Sequence, residues 1–94
     1  MFRKLFRIFT LAADDSVFVI DLHNSRAELV KGNAPAGFAS ELTELVANAG
    51  IARGTIRGRR HQGHVRLLFS KDIPEETHQR IRNLWGIYEA RLIG

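Results

Sequence analysis

The segment from Gly54 to Phe69, GTIRGRRHQGHVRLLF, alternates apolar and cationic residues with the period of two that a half-buried β-strand requires. Broken at Arg60-His61-Gln62-Gly63 as its loop, it predicts a hairpin in which Arg59 stands opposite His64 and Arg57 opposite Arg66, while Ile56, Val65, Leu67 and Phe69 point the other way. A chain holding such a hairpin must bury one sheet face and leave the other cationic. The cations between Gly50 and Ser70 are Arg53, Arg57, Arg59, Arg60 and Arg66, and no carboxylate interrupts them. The formal charge of +4 is therefore local to this hairpin, because the tail after Pro74 sets Arg80, Arg82 and Arg91 against Glu75, Glu76 and Glu89.

A second hairpin precedes it. Phe18, Ile20 and Leu22 alternate with Val17, Val19 and Asp21, His23-Asn24-Ser25-Arg26 carries turn chemistry, and Ala27, Leu29 and Val30 resume an extended run to Gly32. Asn33 and Pro35 signal a helix start, and Phe38, Leu42, Leu45, Val46 and Ala49 fall on one helical stripe that Gly50 closes. After the basic hairpin, Pro74 with Glu75 and Glu76 opens a second helix, where carboxylates suit the positive end of the dipole. Ile81, Leu84, Trp85 and Tyr88 form its apolar stripe. Gly86 leaves open an end at Trp85 or a continuation to Leu92.

The expected architecture is α+β: an N-terminal helix followed by ββαββα, with a four-stranded antiparallel sheet and the helices packed on one face. Residues 1–94 make one domain, with a core over 16–92 built from two ββα halves of similar order. The uncovered face is expected to show Val17, Val19, Asp21, Glu28 and Val30 beside Thr55, Arg57, Arg59, His64 and Arg66, a mixed patch exposed enough to be an interface. With 94 residues and no cysteine, the core is small and has no disulfide to support it, which favours a homo-oligomer.

The opening MFRKLFRIFTLAA places Phe2, Leu5, Phe6, Ile8 and Phe9 on one side of a helical wheel and Arg3, Lys4 and Arg7 on the other, giving an amphipathic helix over residues 1–13. It is shorter than the roughly 20 apolar residues a membrane span needs. Phe2, Leu5, Phe6 and Phe9 fit two roles: an interfacial membrane anchor with cations at anionic headgroups, or a cover for the domain's own core or a second copy's. A cytoplasmic location, peripheral on the inner membrane face in the first case, follows.

The spacing Gly32-x-x-Pro35-x-x-Phe38, then Phe69-Ser70-x-x-Ile73-Pro74 and Gln79-Arg80-Ile81-Arg82-Asn83, resembles a family of small, functionally uncharacterised bacterial proteins. The likeness runs from about Leu29 to Trp85, and its most specific part is FSxxIPxxxxQRIRN. It implies no activity. It does imply an apolar, membrane-spanning start, from which the shorter and charged MFRKLFRIF of this chain departs.

Catalytic motifs are missing from the sequence. His61-x-x-His64 lies among arginines and lacks the further ligands a metal needs. No glycine-rich phosphate loop occurs, because Gly54-Thr55-Ile56-Arg57-Gly58 belongs to a strand and does not join strand to helix. Glu41, Glu44, Glu75 and Glu76 are expected on solvated helix surfaces. The expectation is a non-enzymatic binding domain, without cofactor or metal. Arg57, Arg59, Arg60, His64 and Arg66 are the candidate anion or partner site. Its partners would be an acidic protein, nucleic acid or an anionic lipid surface. Against base recognition, the exposed hairpin face has no aromatic residue for stacking. Arg80 and Arg82 are secondary candidates: with Asn83 they suit bidentate contacts to an anion, or Arg80 pairs with Glu76 one turn away while Trp85 fills the core.

Overall fold

The protein is described by a computed structural model covering residues 16–93; the amphipathic stretch 1–13 lies outside the described residues. Two hairpins and two helices follow one another as β1 (Phe18–His23), β2 (Arg26–Gly32), α1 (Phe38–Asn48), β3 (Gly54–His61), β4 (His64–Phe69) and α2 (Glu75–Ile93). They build an α+β fold around one antiparallel sheet in the order β2-β1-β3-β4. Each ββα half contributes its first strand to the centre and its second to an edge.

Both turns are two residues long, with Asn24 and Ser25 at φ 53° and 57° and Gln62 and Gly63 at φ 49° and 83°. Left-handed conformations at both central positions mark the type I′ turn, whose twist matches that of the flanking strands. The second turn corrects the four-residue loop expected at Arg60–Gly63: Arg59 pairs with Arg66, Arg57 with Leu68 and His61 with His64. A shift of two residues preserves which side each residue faces, but it draws Arg60 into the strand.

One face of the sheet holds the core. Phe18, Ile20 and Leu22 from β1, Ile56 from β3 and Leu67 from β4 pack with Phe38, Leu42 and Val46 of α1 and with Ile81, Trp85 and Tyr88 of α2. Phe18 lies at the centre, its ring 6.3 Å from that of Phe38 and 5.2 Å from that of Trp85, so both helices lie on the same side. Gly58, the cross-strand partner of Phe18, provides the room: a Cβ there would stand 2.4 Å from the Phe18 ring.

Helix α1 begins at Phe38, later than Asn33 and Pro35 signalled, because the chain first makes a turn in which Phe38 N–H donates to Pro35 O at 3.2 Å. Its end is a Schellman motif, with Gly50 N–H bonding Ala47 O and Ile51 N–H bonding Val46 O, so Gly50 at φ 75° reverses the chain while Ile51 packs into the core. Helix α2 runs through Gly86 without a break. Glu41 is exposed on its helix as expected, and it also accepts a hydrogen bond from the Tyr88 hydroxyl that ties α1 to α2.

Each edge strand is fastened to the helix that follows it. Ala27 N–H on β2 donates to Thr43 Oγ1 of α1 at 2.9 Å, and Val65 N–H on β4 donates to Glu89 Oε2 of α2 at 2.8 Å. Ala27 and Val65 are both the second residue after their turns.

The outer face differs from the expected apolar patch. A bulge beside Val19 pairs it with Lys31 in place of Val30, and Arg57 stands on its other side. Val19 is 0% and Asp21 6% exposed. The long stems of Lys31 and Arg57, both half-buried, are placed by register to flank Val19.

Candidate anion-binding surface

At the tip of the second hairpin the outer face presents two like pairs in succession, Arg59 opposite Arg66 and then His61 opposite His64. All four are exposed, whereas Arg57, two residues further down β3, is half-buried beside Leu68. Arg57, Arg59, His64 and Arg66 are thus brought together, and His61 joins them although the loop expected at its position had set it apart. Arg60 is the exception. Strand alternation sends it to the helix side with its cross-strand partner Val65.

The carboxylates of this face lie elsewhere. Asp21 and Glu28 oppose one another on β1 and β2, and Glu28 Oε1 meets His23 Nε2 at 2.9 Å. Asp21 is opposite Thr55, which makes Arg57 its diagonal neighbour and leaves Arg59 about 13 Å further along β3 at about 3.3 Å per residue. The sheet face therefore mixes Asp21 and Glu28 with Lys31 and Arg26 at the β1–β2 side and carries cations and histidines alone at the tip of β3–β4.

The two secondary candidates separate on α2. Arg82 lies over the Phe69 ring at 5.3 Å, while Arg80 is exposed and forms no ion pair with Glu76 among the described residues. Between them Gln79 Nε2 donates to Asn83 Oδ1 at 2.9 Å. The surrounding motif holds the fold together. Phe69 stacks on His78 with centroids 4.1 Å apart, and His78 Nε2 meets Ile73 O at 3.0 Å. Ser70 Oγ accepts from Thr55 N–H at 2.9 Å, and Ser70 N–H returns a bond to Thr55 O at 3.0 Å. Ile73 packs so closely on Gly54 that a Cβ there would lie 2.7 Å from its Cγ1.

Among the described residues no group of three or more His, Asp or Glu is arranged to hold a metal ion, and no helix is long and apolar enough to cross a membrane. Comparison with curated proteins and with solved structures finds no match. A family model described as "Protein of unknown function (DUF3634)" matches residues 3–91. Nearly the whole chain is spanned by that match, the two hairpins and the Phe69–Asn83 motif included, and the protein belongs to this family of uncharacterised proteins.

Proposed function

We propose that this chain is a non-catalytic binding module that receives an anionic surface on the outer face of the β3–β4 tip. The observation that carries the proposal is the direct opposition of Arg59 and Arg66 beside His61 and His64 on a hairpin whose sequence has no carboxylate. Like charges directly across a sheet cost stability, and a face that retains them gains when an anion arrives between them. Arginine suits phosphate and carboxylate because its planar fork donates two parallel hydrogen bonds. The exposed tip has no Phe, Tyr or Trp, so it favours recognition by charge over recognition of bases. Val19 at the centre of the outer face is buried, so it adds no exposed apolar surface there.

The test is a titration of the full chain with vesicles containing phosphatidylglycerol and, separately, with a duplex oligonucleotide, each at several salt concentrations. Binding should weaken steeply with salt. Arg59→Glu with Arg66→Glu should abolish it while the melting curve stays cooperative; unchanged binding by that variant overturns the proposal. A preference for vesicles identifies a lipid surface as the partner, and a preference for the duplex a phosphate backbone.

A further inference from the structure

A pocket of about 410 Å³ opens on the helix side of the second hairpin, between its tip, the β2–α1 connection and the C-terminal half of α2. Phe18, Pro35, Val65 and the Trp85 indole give it apolar walls, and Arg60 and Glu89 stand among them. This volume is within the range of small-molecule sites, which typically pair an apolar lining with a few placed polar groups. It shares no residue with the cationic outer face.

Two features of the wall indicate what would fill it. Trp85 is 5% exposed, yet its Nε1–H is a buried donor with no hydrogen-bond partner among the described residues. That donor has almost no accessible surface, so the indole offers a pocket occupant its apolar ring and not its N–H. Arg60, held on this side by alternation, makes no ion pair or hydrogen bond among the described residues. Asn33 also lines the pocket, and Glu89 already receives Val65 N–H on Oε2. Arg60 is thus the one cation among the lining residues, and it stands over apolar walls without an ion pair among the described residues. We infer that the pocket binds a small apolar carboxylate, whose hydrocarbon body lies against Phe18, Pro35 and Trp85 and whose anionic group meets the Arg60 guanidinium.

Trp85 is the chain's one tryptophan, so a single indole N–H resonance reports on the site. Phenylacetate added to the ¹⁵N-labelled full chain should shift that resonance saturably. Arg60→Gln should weaken the effect about tenfold, as expected for loss of a charge-assisted contact, with the rest of the spectrum unchanged. The neutral analogue toluene should bind both forms alike. An indole resonance that phenylacetate does not move, or moves equally in Arg60→Gln, overturns the inference. Val17, which also lines the pocket, is where the chain arrives from residues 1–15. If Phe6→Asp alone shifts the indole resonance while phenylacetate does not move it in the unaltered chain, the occupant is the protein's own N-terminal segment and the carboxylate site is refuted.

Discussion

The Phe18 ring occupies the space that a side chain at Gly58 would need: the two residues are paired across β1 and β3, and a Cβ at Gly58 would meet ring atoms at 2.4 and 2.5 Å. The ring cannot swing aside easily, because Phe38 and Trp85 pack on it from the two helices. Gly58→Ala should therefore destabilise the fold by about 1–3 kcal/mol, the cost of overpacking a filled core. Chemical denaturation of the full chain checks this, with a lower midpoint and an unchanged slope expected.

Gly86 gives the opposite sign. It lies inside α2, is exposed, and a Cβ there would touch nothing within 4 Å. Gly86→Ala should stabilise the protein by about 0.5–1 kcal/mol through helix propensity and a less flexible unfolded chain. A melting temperature that stays the same or falls would contradict the continuous helix described for residues 75–93.

Arg66→Glu separates stability from binding. It converts the opposed Arg59–Arg66 pair into one of opposite charge and should raise stability by about 0.2–1 kcal/mol at low salt. The same change should weaken association with phosphatidylglycerol vesicles or a duplex. A variant that gains stability and keeps its binding would show that the tip is not the anion site.

Ser70→Ala removes the acceptor of Thr55 N–H while keeping the backbone bond that returns to Thr55 O. The expected cost is about 1–3 kcal/mol, that of a partly buried N–H left without a partner. Thermal unfolding and amide exchange at Thr55 measure it, and exchange there should rise more than in α1.

Much of the fold is legible in the sequence because its signals are local. Phe18, Ile20 and Leu22 declare their shared face by alternation, and Asn24 tolerates the left-handed backbone that its turn needs. Gln62 gives no such signal, and so the second turn reads two residues too long from sequence. That displacement kept Arg57, Arg59, His64 and Arg66 on one face by parity alone but hid the position of Arg60. The start of α1 was obscured because Pro35 serves a turn and not the first helical position. Contacts between distant residues have no local trace: Tyr88 and Glu41 are 47 positions apart and Val65 and Glu89 are 24 apart. The buried donor of Trp85 is equally silent, since a tryptophan on an apolar stripe looks the same whether or not its N–H has a partner.

The helix side chains that accept from the two outermost strands also bear on what a second chain meets at the borders of the sheet. An open sheet invites a second chain to add itself by backbone pairing, and a chain that does so at both borders can propagate into fibrils. Here Thr43 and Glu89 each occupy one outward N–H at matching points of β2 and β4, so a strand approaching either border meets a donor already engaged close to the turn. The protection of both borders of so small a sheet thus falls to two residues outside its hydrophobic core.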